Sequence, residues 1–229
     1  MLSLRHPYIA VSLDGQKTYG GGQQFSDNHM VKLCGCGIIA ATDTLLYLQR
    51  WHSHGRIPML DVCLRDNPLP SSEYHALIRQ MRREYFPLIP YLGINGLMLA
   101  AGMQRFFWRY SLPFSCRWCF SYKELWGRIE TMLAEDLPVI MSVGPNFPFF
   151  WKHEKACFYV KTPEGEFRPA SGAHAHYFTV TGMDENWLRI SSWGRCYYLN
   201  RKEFEHYARK HSTPVVSNIL LIERKKNSP

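Results

Sequence analysis

The sequence lacks the features that mark membrane and secreted proteins. No apolar run approaches the roughly 20 residues that a membrane-spanning helix needs. Residues 1–15 include Arg5, His6 and Pro7 and contain no unbroken apolar stretch of the kind found in a signal peptide. The seven cysteines are an odd number, and their spacing shows no disulfide framework. We therefore expect a cytoplasmic protein with reduced thiols and no membrane span.

Internal repeats, linkers and nucleic-acid recognition motifs are also missing. The chain has 229 residues, of which 46% are hydrophobic, and this is enough for one domain with a large core. We therefore treat residues 1–229 as a single domain. The net charge is +8, but the basic residues are scattered, so a solvated basic surface is favoured over a nucleic-acid partner. The sequence does not indicate an oligomeric state.

The most informative segment is residues 33–50, in which two cysteines and two glycines lead into an apolar run. Its apolar residues leave almost no polar face at helical spacing, which predicts a buried central helix. A cysteine in the first turn of such a helix lies near unpaired N–H groups and the positive end of the helix dipole. Cys36 occupies that position, whereas Cys34 lies in the approach loop. The alternative is that both cysteines are small core residues.

The order of the remaining patterns predicts an α+β protein, with helices first and strands second. Residues that can cap the start of a helix, or apolar residues at helical spacing, predict helices within residues 71–86, 90–110, 122–135 and 201–210. Apolar, β-branched and aromatic runs predict strands at residues 8–13, 137–144, 158–160, 176–182, 187–191, 197–199 and 215–223. We expect an N-terminal helical half whose central buried helix packs on a C-terminal antiparallel β-sheet.

Cys36 becomes a candidate nucleophile if a histidine meets it in space and a third group orients that histidine. His176 begins a predicted strand that turns and returns as residues 187–191, so one side chain of Ser191-Ser192-Trp193-Gly194 can orient the imidazole. We assign this role to Ser191, with Ser192 as the alternative. Pairing with an imidazolium lowers the pKa of a thiol by several units. We therefore expect a thiolate that reacts with alkylating reagents even at about pH 6.

Four segments together resemble the papain-like cysteine peptidase superfamily. They are Cys36-Gly37 before an apolar helix, Leu137-Pro138-Val139-Ile140, the strand from His176 to Asp184, and Ser191-Ser192-Trp193-Gly194. The similarity is to the bacterial branch related to the peptidases that cut double-glycine leaders from exported peptides. It covers about residues 19–50 and 137–207. The resemblance implies a papain-like fold, a Cys36–His176 pair, an orienting residue at Ser191 and an oxyanion-hole glutamine at Gln24, with Asn28 as the fallback.

The sequence departs from that family at two points. Serine stands where the family has Asn or Asp, and a serine carries no charge to stabilise an imidazolium. Gln24 also lies farther from Cys36 than the family's glutamine, so it needs an intervening bulge. The resemblance implies acyl transfer on a peptide or a small amide or thioester, with peptide hydrolysis as the default. The alternative is a catalytically inactive papain-like binding module.

Cysteine and histidine pairs raise a metal site as a further alternative. Cys34, Cys36, Cys116 and Cys119 could supply four zinc ligands, and His174 and His176 share a strand face. The Cys116–Cys119 pair lacks the glycine expected of a zinc-knuckle turn. We therefore expect no metal and no cofactor.

Overall fold

The computed structural model describes residues 1–53, 55–65, 67–146 and 154–225. Its helices are α1 (His29–Cys34), α2 (Cys36–His52), α3 (Val62–Arg65), α4 (Ser71–Glu84), α5 (Gly96–Arg109), α6 (Leu125–Ala134) and α7 (Arg201–His211). Its strands are β1 (Leu2–Ser3), β2 (Val11–Leu13), β3 (Gln16–Lys17), β4 (Leu69–Pro70), β5 (Phe114–Trp118), β6 (Val139–Val143), β7 (Ala156–Lys161), β8 (Phe167–Ala173), β9 (His176–Met183), β10 (Trp187–Ser192), β11 (Arg195–Asn200) and β12 (Ile219–Arg224). None of the helices in these ranges is long and apolar enough to cross a membrane.

Within the described residues, nine antiparallel strands form one large sheet. The strand order is β5-β12-β6-β9-β10-β11-β7-β8, and β1 pairs with β9. Val180 in the middle of β9 pairs with Val139 on one side and Ile190 on the other, and all three are fully buried. A small second sheet, β3-β2-β4, is formed by residues nearer the N-terminus. The predicted α+β layout, with helices before an antiparallel sheet, is confirmed.

α2 is the buried central helix that the apolar run predicts. Residues 37–49 of this helix are all buried. The helix packs against β9 and β6 of the large sheet and against α3, α4 and α5. This packing requires glycine at position 37, since a Cβ there would lie 2.5 Å from Cγ2 of Ile94. The prediction that this helix packs on the sheet containing Val139, Val180 and Ile190 is therefore confirmed.

Several helix and strand boundaries differ from the predicted ones for local reasons. α5 begins at Gly96 because the Asn95 side chain caps it by accepting the N–H of Met98. α6 begins at Leu125 because Glu124 has a left-handed φ of 60°. The Cys-x-x-Cys segment, which suggested no element, contributes β5 and pairs with β12. α1 and β8 were also not expected from the sequence pattern.

Candidate active site

Cys36 is the first residue of α2, where the helix leaves N–H groups unpaired. Gly35 precedes it, and the Gly35 carbonyl accepts the N–H of Ile39. The Cys36 thiol is half-buried, and the backbone N–H groups of Tyr177 and Gly37 favour the charged form of its sulfur and so lower its pKa in part. Tyr177 directly follows His176 in β9. The fold therefore brings the Cys36 sulfur against the strand that carries the candidate histidine.

His176 is 7% exposed and is held through both its edge and its face. Its Nε2 lies 2.8 Å from Oγ of Ser192. Trp193 stacks on the imidazole, with ring centroids 4.3 Å apart and an interplanar angle of 23°. Trp193 and Gly194 both have left-handed φ angles, 50° and 72°, and this tight turn places the indole over the ring. The sequence analysis assigned no role to Trp193.

Ser192, and not the predicted Ser191, contacts the imidazole. The hydroxyl of Ser191 instead donates to the carbonyl of Tyr19 at 2.8 Å. Both serines are buried, so burial alone does not distinguish them. Of the two serines, the structure therefore places the alternative, Ser192, beside the imidazole and turns Ser191 away from it.

The physical reason is a β-bulge between β9 and β10, at which the register of the two strands shifts. After the shift, Ser191 pairs with Thr179. Residues opposite one another in an antiparallel pair share a face, and side chains alternate along each strand. Ser191 therefore lies on the face opposite to His176, and Ser192 lies on the same face as His176. Without the extra residue of the bulge the two serines would exchange faces.

Gln23, and not the predicted Gln24, lines the site with Cys36. The two amides lie in a single 3₁₀ turn, Gln23–Phe25, which directs them differently. Gln24 is exposed, and its Nε2 donates to the carbonyl of Trp193 at 2.8 Å. Nε2 of Gln23 donates to the carbonyl of Lys32, while its Oε1 is buried without a hydrogen-bond partner. The fallback Asn28 is used elsewhere, as the cap of α1.

Burial dominates the acid–base properties of the cysteine and the histidine. It raises the pKa of the Cys36 thiol to about 11, although the N–H groups of Tyr177 and Gly37 lower it in part. Burial also lowers the pKa of His176 to about 3. Both side chains are therefore neutral near pH 7. This differs from the expected thiolate–imidazolium pair, because desolvation of the charged forms outweighs the N–H groups at the helix start.

Cys36, His176 and Gln23 line both a small cavity and an open cleft. The cavity has a volume of about 10 Å³, which is room for about one water molecule. The cleft has a volume of about 420 Å³, within the usual range for ligand sites. Most of its remaining wall is apolar: Leu33, Ile89, Leu92, Ile94, Val143, Val215 and Val216.

One cluster within the described ranges, formed by His6, His52 and Asp136, has the composition of a metal site. Its hydrogen bonds indicate a different role. Arg224 donates to Nδ1 of His52 at 2.6 Å, so His52 carries its proton on Nε2 and donates to Asp136. A protonated Nε2 has no lone pair for an ion. The cluster therefore links the N-terminal segment, the end of α2 and β12 through the buried carboxylate of Asp136.

The cysteines of the proposed zinc alternative do not form such a cluster in the part of the chain that the structure describes. The thiol of Cys116 donates to the carbonyl of Ala100, and Arg128 contacts Cys119. Cys34 donates to the carbonyl of Met30 at 3.2 Å. The sulfurs of Cys34, Cys116 and Cys119 therefore contact different parts of the chain.

Comparison with models of known protein families finds no match to this chain. Comparison with curated proteins finds no match either. Among solved structures, the chain is similar to the crystal structure of a Bacillus anthracis protein provisionally assigned as a C39-like peptidase. The similarity covers 95% of this chain and 99% of that chain, with a TM-score of 0.48 and 14% sequence identity. The assignment of the candidate site therefore rests on the geometry of this chain.

Proposed function

We propose that this protein is a cysteine peptidase-like hydrolase in which Cys36 is the nucleophile and His176 is the base. The observation that carries the proposal is that Cys36 and His176 line one cavity at the start of a buried helix, with Tyr177, the residue after His176, in the same wall. A thiol, an imidazole and a group that orients the imidazole are the parts that nucleophilic acyl transfer needs.

The reaction starts from neutral groups. If the Nε2–H of His176 donates to Ser192, then Nδ1 carries the lone pair that accepts the proton of the Cys36 thiol. As that proton moves, the sulfur forms a bond to the substrate carbonyl carbon. His176 then protonates the leaving amine or thiol, and the acyl group remains on Cys36 as a thioester. Water attacks the thioester with His176 as the base, which releases the acid and restores the thiol.

The carbonyl oxygen becomes negatively charged in both steps and needs hydrogen-bond donors. The backbone N–H of Cys36, at the start of α2, is one donor. The side-chain amide of Gln23 is the second, because Gln23 borders both the cavity and the cleft beside Cys36. Its Nε2 has two N–H bonds, which donate to the carbonyl of Lys32 at 2.9 Å and, at the long distance of 3.5 Å, to the carbonyl of Leu33. The weaker of these two bonds is the one that the substrate oxygen replaces.

The cleft favours a peptide, or a small amide or thioester with an apolar acyl part. Leu92 and Val215 on its wall are 69% and 54% exposed, so a substrate that covers them gains from burying apolar surface. All seven cysteines are free thiols. This agrees with the proposed cytoplasmic location, where thiols stay reduced.

Acylation by p-nitrophenyl acetate tests the proposal without knowledge of the natural substrate. We expect a burst of p-nitrophenol of about one equivalent per chain, and a peptide map with an acetyl group on Cys36. Cys36→Ala should abolish the burst and His176→Ala should reduce it, whereas Cys34→Ala is the matched control and should keep it. Equal acetylation of several cysteines, unchanged in His176→Ala, would exclude the proposed pair.

The neutral pair and the uncharged Ser192 favour a second candidate function, a binding module that keeps the cleft without catalysis. In that case a pool of short apolar peptides should bind and remain intact. Mass spectrometry of the pool after incubation distinguishes the two functions, because the hydrolase yields cleaved peptides that Cys36→Ala does not yield.

A further inference from the structure

Asp43 is a buried carboxyl group at the candidate site that the reaction above does not use. It lies on α2, about two turns after Cys36, and it is 2% exposed. Asp43 lines the same small cavity as Cys36, His176 and Gln23. A buried carboxyl group needs specific hydrogen-bond partners, and the partners of Asp43 connect it to the rest of the site.

Residues 19–23, which we call the glycine strap, pass directly over Asp43. The N–H of Gly21 donates to Oδ2 of Asp43 at 2.8 Å, and the Tyr74 hydroxyl from α4 donates to Oδ1 at 2.7 Å. A Cβ on Gly20 would lie 2.2 Å from Oγ of Ser191, and a Cβ on Gly21 would lie 1.8 Å from the Tyr74 hydroxyl. Only glycine allows the backbone to approach Asp43 this closely.

The glycine strap also holds the turn that carries Ser192 and Trp193. The carbonyl of Gly21 accepts the N–H of Gly194 at 2.8 Å, and the N–H of Tyr19 donates to the Gly194 carbonyl at 2.8 Å. At its other end the strap continues directly into Gln23. One segment thus connects Asp43, the amide beside Cys36 and the turn that orients His176.

We propose that Asp43 is a positioning residue whose carboxyl group clamps the glycine strap and so sets Gln23, Ser192 and Trp193 around Cys36. The effect on catalysis rests on the proposed function, but the clamping of the strap does not. In its neutral form the carboxyl group can still bind both partners, since Oδ2 accepts from Gly21 while a proton on Oδ1 is donated to the Tyr74 oxygen.

The stability of the closed glycine strap depends on pH, because burial shifts the pKa of Asp43. Burial raises the pKa of Asp43 to about 7, although the hydrogen bonds from Gly21 and Tyr74 lower it in part. Opening of the strap admits water and returns the pKa toward its ordinary value near 3.9. Because the closed form binds more protons than the open form between these two pKa values, closure is most favoured below about pH 4, weakens as the pH rises from 4 to 7, and does not change further above 7.

Other titratable groups near Asp43 do not obscure this effect. Among the described residues, Tyr74 from α4 and Tyr8 from the N-terminal segment face it, and burial raises the pKa of both phenols. Across the cavity, burial raises the pKa of Cys36 and lowers that of His176. All four groups therefore stay neutral between about pH 4.5 and 8.5.

Hydrogen exchange of the peptide containing Gly21, measured by mass spectrometry from about pH 4.5 to 8.5 and corrected for intrinsic rates, tests the clamp. In the wild type we expect protection to fall between about pH 4.5 and 7, by at most about tenfold per pH unit, and to level off above 7. Asp43→Asn keeps an acceptor for Gly21 without a titrating proton, so its protection should not change with pH. Asp43→Ala should lose protection by roughly fivefold at about pH 4.5, as expected for one lost hydrogen bond.

Asp136→Asn is the matched control, because it removes another buried carboxylate and leaves the glycine strap intact. Wild-type protection of the strap in Asp43→Ala, or equal loosening in Asp136→Asn, would overturn the proposal. If Asp43→Ala does not fold, Asp43→Asn decides, and a wild-type pH dependence in that variant would also overturn it. If substitutions of Asp43 change the protection of the strap as expected but Cys36→Ala still hydrolyses substrate, only the proposed function is wrong. If Cys36→Ala is inactive but substitutions of Asp43 do not change the protection of the strap, only the clamp is wrong.

Discussion

The hydroxyl of Ser192 lies 2.8 Å from Nε2 of His176, on the sheet face to which a β-bulge has moved it. A hydroxyl orients the ring but supplies no negative charge, which fits the neutral state that burial imposes on His176. In the proposed reaction, Nδ1 of the imidazole is then the atom that accepts the proton of the thiol. The role of Ser192 can be separated from that of its neighbour, because the Ser191 hydroxyl donates to Tyr19.

Substitution of Ser192 should change the rate of acylation. Ser192→Ala should lower the acylation rate by roughly fivefold, since a neutral hydrogen bond contributes about 1 kcal/mol. Ser192→Asn should preserve or raise the acylation rate, because an amide oxygen accepts the imidazole N–H more firmly than a hydroxyl oxygen. The measurement is the rate of the p-nitrophenyl acetate burst. Ser191→Asn is the matched control, and a larger gain at position 191 than at 192 would contradict the assignment.

Alkylation of Cys36 should follow its raised pKa. Only the thiolate reacts, so labelling by iodoacetamide should be slow at about pH 6 and should increase with pH without a plateau below about pH 10. Peptide mapping reports Cys34 and Cys36 from the same digest, and both border the cleft. Fast labelling of Cys36 at low pH that is lost in His176→Ala would instead show a thiolate–imidazolium pair.

Asp136 should stabilise the fold in a pH-dependent way. Burial alone would raise its pKa, but hydrogen bonds from Tyr47, His6 and the N–H of Arg5 outweigh burial and lower it. A carboxylate with a lowered pKa stabilises the fold above the unfolded value near 3.9, and this contribution is lost as the pH falls through the folded pKa. We therefore expect a loss of stability below about pH 4 that Asp136→Asn lacks.

At pH 7 the Asp136→Asn variant should unfold more easily, by about 2 kcal/mol in urea titrations, as is typical of hydrogen bonds to a charged group. The control is Asp27→Asn at the surface. Asp27 accepts from Arg79 at 2.6 Å, and the side chains of Arg79 and Asp27 are 50% and 61% exposed. Such a surface pair contributes less than about 1 kcal/mol. Equal losses in both variants would show that Asp136 is not a special stabilising group.

The sequence predicts those parts of the molecule that depend on local pattern. The all-apolar run after Cys36 requires a buried helix, and the β-branched residues after His176 require a central strand. The sequence does not predict which residue of the neighbours Ser191 and Ser192, or of Gln23 and Gln24, faces the candidate site. A β-bulge places Ser192 there and a 3₁₀ turn places Gln23 there. Neither the bulge nor the turn can be recognised from the residue types.

The charge state of the pair could not be predicted for a related reason. The helix start favours a thiolate, and that effect is visible in the sequence at Cys36. Desolvation by Trp193, Phe158 and other distant segments opposes it, and only the folded structure brings those groups around His176. The sequence Trp193-Gly194 does indicate a tight turn, since glycine after an aromatic residue favours one. This turn is what places the indole over His176.

Two adjacent glutamines, Gln23 and Gln24, allow a direct test of which side chain is the proposed oxyanion donor. Gln23 borders the cavity and the cleft beside Cys36, and its Oε1 is buried without a partner. Gln24 is exposed, and its amide donates to the carbonyl of Trp193. A side chain that stabilises the charged intermediate acts mainly in the transition state, so its loss should reduce kcat and leave KM nearly unchanged.

We therefore expect Gln23→Ala to lower kcat by about 10²-fold or more, as is usual when an oxyanion-hole donor is removed. Gln24→Ala should lower kcat by less than about tenfold, because it weakens only one contact with the turn that carries Trp193. Steady-state kinetics on one thioester substrate, with Gln23→Glu as a third variant of the same size, measures both effects. Glu at position 23 places an acceptor where the intermediate needs a donor, so it should be at least as inactive as Gln23→Ala. A greater loss in Gln24→Ala than in Gln23→Ala would return the oxyanion role to Gln24 and would require the turn Gln23–Phe25 to rearrange when substrate binds.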